Sequence, residues 1–169
     1  MKKYGILLAL VLFLSGCGAQ PVFETVEDEP VDALVASQQS LTLQIPKDAV
    51  QAVMESADVG KIYLCDGYSI AVQTLPAGDL DSTLRAVCGF SREKLAPVCT
   101  KGSGFDKYEC VWSCAGEAQD QIGRTCILDD GSYHYCVTLM ADASQAGALA
   151  NQWQSLIDSV SLDSINTAQ

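Results

Sequence analysis

The sequence predicts an α+β domain: an antiparallel sheet of about six strands, laid out as hairpins and a meander and covered by two main helices. Three observations carry this. Asp66-Gly67 and Asp130-Gly131 each sit between runs of β-prone residues, a strong short-range signal for a hairpin. Ala146, Leu149, Ala150, Trp153, Leu156, Ile157 and Val160 recur at three and four residues and draw one apolar stripe along a helix. Runs of adjacent strands separated by helices indicate an antiparallel sheet with helical cover.

Along the chain, Leu41, Leu43 and Ile45 alternate with Thr42 and Gln44, the period of a half-buried strand, and Pro46 ends it. Residues 48–57 read as a short helix with Val50, Val53 and Met54 on one face. The first hairpin joins 61–65 to 68–75 through Asp66-Gly67. Asp79 is placed to cap a helix carrying Leu80, Leu84, Val87 and Cys88 on one face, and Gly89 to stop it. Residues 90–105 lack a period and read as a loop. A strand over about 106–115 turns through residues 116–119 into the strand holding Cys126, which passes Asp129-Asp130-Gly131 into a last strand over 132–140. The apolar-striped helix closes the domain, whose bounds are 40–162, with 163–169 as a tail.

Leu43-x-Ile45-Pro46, the meander ending Tyr133-x-Tyr135, and Trp153-x-x-x-Ile157-x-x-Ser159-x-x-Leu162 together resemble the PsbP-like fold, which also occurs in small bacterial lipoproteins. The resemblance covers residues 41–162 and rests on loose, mostly apolar motifs. It implies a fold and an accessory or binding role, and no catalytic residues.

The N-terminal stretch reads separately. Met1-Lys2-Lys3-Tyr4 is cationic, and 5–14 is an apolar run. A run of about ten residues suits a signal-peptide core and is too short for a span, which needs roughly twenty. Leu14-Ser15-Gly16-Cys17 resembles the lipobox of bacterial lipoproteins. That resemblance implies removal of residues 1–16, a diacylglyceryl group on the Cys17 thiol and acylation of its freed amine. Two or more acyl chains anchor stably, since each buried methylene contributes about 0.8 kcal/mol. Residues 17–39 then read as a lipidated tether, kept extended by Glu24, Glu27, Asp28, Glu29, Asp32, Pro21 and Pro30, with Val22-Phe23 able to dock on the domain. The Phe23-Glu24-Thr25-Val26 segment and the Tyr63–Tyr68 hairpin also resemble lipoproteins of anaerobic Firmicutes. The expected location is the outer face of the cytoplasmic membrane.

The chain carries 10 basic and 21 acidic residues, a net charge of −11. Loss of Lys2 and Lys3 leaves 8 against 21, or −13. Such a balance disfavours nucleic acid and anionic lipid head groups as partners.

Of the 8 cysteines, lipidation of Cys17 leaves an odd number, so at least one thiol stays unpaired within the chain. If the 116–119 turn centres its hairpin, opposed positions sum to about 235. Cys110 and Cys126 are then opposite or one step off, a candidate bridge. Cys88 and Cys99 form a second candidate, closing the loop between helix and strand with a stabilisation of about 3 kcal/mol. Cys110 and Cys114 on a strand stand roughly 13 Å apart. Zinc–sulfur bonds of about 2.3 Å cannot join them through one ion, and no Cys-x-x-Cys redox motif is present.

His134 is the sole histidine, and no Gly-x-Ser-x-Gly or His-Glu-x-x-His pattern accompanies it. The hairpin position of Asp129 and Asp130 explains them without chemistry. Tyr108 and Trp112 share one face of their strand and Tyr133 and Tyr135 one face of the next hairpin, so whichever of them point outward form a candidate binding surface.

These features lead to an expectation of a non-enzymatic, membrane-tethered module without cofactor beyond its lipid. Its expected partners are the membrane, through the lipid anchor, and an envelope protein, a glycan or a small solute. A structural envelope protein without a discrete ligand, and a metal or thiol protein built on Cys and His134, are the competing readings.

Overall fold

The computed structural model describes residues 22–28, 38–53 and 60–163. The predicted signal, the lipobox with Cys17, residues 29–37 of the tether, Met54 and the tail from residue 164 lie outside the described residues.

Two antiparallel sheets form the domain. The small one has the order β1-β2-β10, with β1 at Phe23–Asp28, β2 at Ser40–Pro46 and β10 at Ser161–Asp163. The large one has the order β3-β4-β5-β9-β8-β7-β6. Its strands are β3 (Val50–Gln51), β4 (Lys61–Cys65), β5 (Tyr68–Pro76), β6 (Val98–Lys101), β7 (Asp106–Cys114), β8 (Gln121–Asp129) and β9 (Tyr133–Asp142). The described residues also form three α-helices: α1 (Leu80–Cys88), α2 (Arg92–Leu95) and α3 (Ala146–Ser159).

Alternation along each strand divides the core. On one face of the large sheet, Ile70, Val72, Tyr135, Val137 and Leu139 pack with Leu41, Leu43 and Ile45 of β2 and with Leu149, Trp153, Leu156 and Ile157 of α3. On the other, Cys110, Trp112, Ile127 and Cys136 meet Leu80 and Leu84 of α1. The sheet is therefore the middle of three layers.

The main signals form as predicted. Asp79 accepts a 3.2 Å hydrogen bond from the Ser82 N–H, and Gly89 takes φ 81° with its N–H donating to the Arg85 carbonyl. The Asp66-Gly67 loop joins β4 to β5 with Cys65 opposite Tyr68. Opposed positions on β7 and β8 do sum to 235, from Asp106↔Asp129 to Cys114↔Gln121.

Three expectations are corrected. Phe23–Asp28, read as tether, pairs along its whole length with β2, from Phe23↔Pro46 to Asp28↔Leu41. An edge strand tolerates its acidic residues because one flank stays in water. Residues 50–51, read as helix, pair with Leu64 and Tyr63, and the Ala52 N–H continues the ladder to the Ile62 carbonyl. Val50 and Val53 are exposed, so the supposed apolar face has nothing to cover it. The loop over 90–105 contains α2 and β6, both too short to show a period. Short edge strands such as these explain why ten strands are described where about six were expected.

Candidate functional site

Register decides which chemistry-bearing residues meet. Tyr108, Cys110, Trp112 and Cys114 lie opposite Ile127, Thr125, Gly123 and Gln121, on the α1 side of the sheet. Tyr133 and Tyr135 lie on the α3 side, since Tyr135 pairs with Leu128 and Thr74 and packs in the other core. The four aromatic residues are thus split between two layers and do not form one surface. Trp112 and Tyr135 are buried, and Tyr108 and Tyr133 half-buried. The Trp112 indole lies over Gly123, tilts against Phe90 with centroids 5.7 Å apart, and donates from Nε1 to Thr125 Oγ1 at 3.0 Å.

Both cysteine pairs stand apart. With Cys110 opposite Thr125 and Cys126 opposite Glu109, the two thiols point to opposite faces, so a bridge would have to pass through the sheet. Cys99 is exposed on β6 opposite Tyr108, whereas the Cys88 Sγ turns to the Leu84 carbonyl at 3.0 Å. The seven described cysteines are all free thiols. Burial pushes the Cys110 and Cys126 thiols up to about 12, which keeps them neutral and poorly nucleophilic.

His134 gains the partners that the sequence does not reveal. Its Nδ1 lies 2.7 Å from Thr83 Oγ1 on α1, and its Nε2 lies 3.5 Å from Asp129 Oδ2. The carboxylate favours the proton on Nε2, leaving Nδ1 to accept from the Thr83 hydroxyl. Carboxylate, imidazole and hydroxyl follow the order of a nucleophilic relay. His134 is 1% and Thr83 6% exposed, so the pair is buried between α1 and the sheet. The arrangement pins α1 to the sheet. Neither residue's sequence context signals the other; only the packing of α1 on β9 joins them.

A second polar cluster fastens the β8–β9 turn. Asp130 accepts from the Ser132 and Tyr133 N–H groups, from Gln39 Nε2 and from the Tyr135 hydroxyl. Partial burial works against the charge on Asp130, but these donors outweigh it and hold the carboxyl below its usual range. Glu109 is lowered in the same way: burial opposes its charge, and the hydrogen bonds from Arg124 and Lys107 prevail. A carboxyl depressed in the folded state contributes stability above its unfolded pKa and loses it as pH falls through the folded value. Urea midpoints are therefore expected to fall as pH drops below about 4, with a shallower fall in Asp130→Asn. An identical acid slope in wild type and variant would contradict this assignment.

The concave surface that remains lies at a step in the sheet edge. The outermost strand, β6, pairs only with Asp106–Glu109 of β7, so among the described residues Cys110–Cys114 has no strand on its outer side. A cavity of about 330 Å³ opens at this step, lined by Leu95, Ala96, Val98, Glu109, Cys110, Val111 and Arg124. Val98 and Val111 are exposed there at 68% and 61%. On the α3 side, Glu109 bridges Lys107 (3.2 Å) and Arg124 (2.7 Å), and Arg124 also reaches Gln154 of α3. Apolar side chains, a strand edge that β6 leaves uncovered and a cluster of one carboxylate between two cations suit an extended peptide segment. Among the described residues, no group of three or more His, Cys, Asp or Glu is placed to hold a metal ion, and no helix is long and apolar enough to cross a membrane. Sequence reading missed this step because β6 carries no periodic signal and the free edge exists only by contrast with it.

The sequence matches no protein-family model and no curated protein. Solved structures do resemble the chain. LpqN of Mycobacterium tuberculosis, involved in cell envelope biogenesis, has a TM-score of 0.53 at 13% identity, covering 84% of this chain and 92% of LpqN. Cyanobacterial PsbP from Synechocystis has a TM-score of 0.55 at 8% identity, covering 89% and 99%. The Saccharomyces cerevisiae Ran-binding protein Mog1p has a TM-score of 0.53 at 15% identity, covering 85% and 96%. Identities this low speak to architecture alone, and with two antiparallel sheets under helical cover, that architecture is the PsbP-like α+β fold.

Proposed function

We propose that this chain is a lipid-anchored, extracytoplasmic accessory module of the cell envelope, non-catalytic and without a resident cofactor, that binds a protein segment at the open edge of β7. The observation that carries the reading is the unpaired Cys110–Cys114 edge beside an apolar cavity. The lipobox-like Leu14–Cys17 supports the anchor. The buried Thr83–His134 pair supports the absence of catalysis, because the one histidine is spent on packing. The similarity in fold to an envelope-biogenesis protein and to a Ran-binding protein is compatible with an accessory role and supports it only as analogy.

Two measurements test the reading. Growth with radiolabelled palmitate should label the wild-type chain and leave Cys17→Ser unlabelled; an unlabelled wild type removes the anchor. A photo-crosslinking side chain at Val111 should give a discrete adduct in intact cells, and the same group at the fully exposed Val53 should not. Equal adducts from both positions, or none from Val111, would remove the edge as a docking site.

A further inference from the structure

We infer that the occupant of the open β7 edge is a second copy of this chain, paired antiparallel about a two-fold axis at Trp112. The inference rests on reading that edge as a docking site and names what fills it.

Exposed strands are usually guarded by charge or kept short. β1 carries the exposed Glu24 and Glu27, β6 ends in Lys101, and β3 is two residues long. Cys110-Val111-Trp112-Ser113-Cys114 is five residues long and holds no charge. Two copies of a chain with net charge −11 can meet there without placing like charges opposite each other.

Length fits as well. A two-fold at Trp112 sets Cys110 opposite the partner's Cys114 and Val111 opposite the partner's Ser113, so all five residues pair. The next position, Glu109, is already taken by Val98 of β6. That is where the partner strand ends, because β7 stops at Cys114. The two Val111 side chains become diagonal neighbours across the axis, within reach of apolar contact.

Outside the strand, two cationic side chains stand within reach of the partner's acidic turn. This register carries the partner's β7–β8 turn, with exposed Glu117 and Asp120, toward α2, whose exposed Arg92 and Lys94 flank the exposed Glu93. Ala96, directly after α2, lines the cavity beside Cys110, and Arg92 lines the adjoining hollow with Asp81, Glu93, Ala96 and Pro97. Two seven-stranded sheets would then run on as one.

The test uses the full chain in membranes of the expressing cell, with Ser replacing the exposed Cys99 and also Cys114, which would otherwise stand opposite the partner's Cys110. Differently tagged Val111→Cys and Ser113→Cys chains are co-expressed and oxidised with copper phenanthroline. The expected product is a mixed-tag disulfide dimer, far weaker when either variant is present alone, because only the mixed pair is directly opposed. Both positions are exposed, so neither change threatens the fold. As a second measurement, wild-type chain in detergent should scatter light as a dimer and Val111→Lys as a monomer. A monomeric wild type, or equal cross-linking within one variant, overturns the pairing. If wild type is monomeric but carries a foreign protein that Val111→Lys releases, the self-pairing fails and the edge remains a docking site. If Val111→Lys changes neither assembly nor binding, both ideas fail.

Discussion

Gly123→Ala is expected to lower stability by about 2–5 kcal/mol, combining overpacking with a lost buried hydrogen bond. A Cβ at position 123 would stand 2.1 Å from Cζ2 and 2.3 Å from Cε2 of Trp112. The indole cannot simply lift away. Phe90 backs it, and its Nε1 donates to Thr125 Oγ1, which itself lies 3.2 Å from Thr138 Oγ1. Moving the ring breaks that chain of contacts in the layer under α1. Urea denaturation followed by circular dichroism would measure the loss. The same glycine change in a Trp112→Leu background should cost much less, since the clashing ring is gone and the two effects are coupled. A Gly123→Ala midpoint equal to wild type would mean that the indole does not sit over this strand.

His134→Leu is expected to cost about 2–4 kcal/mol, because it strands the buried Thr83 hydroxyl without an acceptor and alters a tightly packed volume. His134 is 1% exposed, and its bond to Thr83 at 2.7 Å is the polar tie between α1 and β9. The informative variant is the double one. Thr83→Val with His134→Leu removes both polar partners and should recover most of the loss, as an apolar pair of similar shape leaves nothing unsatisfied. A pin made only of packing and hydrogen bonding behaves this way. If the double variant is as unstable as the sum of its parts, the tie is something other than a matched polar pair.

Register also connects the predictions to the candidate site. Trp112 is the centre of the open edge, and Gly123 is the residue directly across from it on β8. The lack of a side chain at Gly123 lets the indole lie flat in the layer beneath α1. That leaves the outer flank of β7 accessible, with Val111 and Ser113 exposed on the face opposite α1. A displaced indole should therefore weaken docking at the edge as well as the fold.

Local chemistry alone determined much of this protein. Asp79 and Gly89 bound α1 because a side-chain cap and a left-handed stop act within a few residues. The Asp66-Gly67 turn fixes the β4–β5 register in the same local way, and the stripe from Leu149 to Ile157 marks α3 because one face must be buried. Position-by-position alternation and the 116–119 turn together set the register of β7 on β8, with sums of 235. Tertiary structure decided the rest, since it depends on which layers close over which face. The one-step offset between Cys110 and Cys126 turns a candidate bridge into two thiols in separate cores. The aromatic pairs separate for the same reason. Phe23–Asp28 becomes a strand only because β2 presents a free flank, and Val50–Gln51 only because β4 does. The union of Thr83 with His134, and the open edge left where β6 stops, belong to no stretch of sequence: each is made by segments far apart in the chain, brought together by burial of the two apolar faces of one sheet.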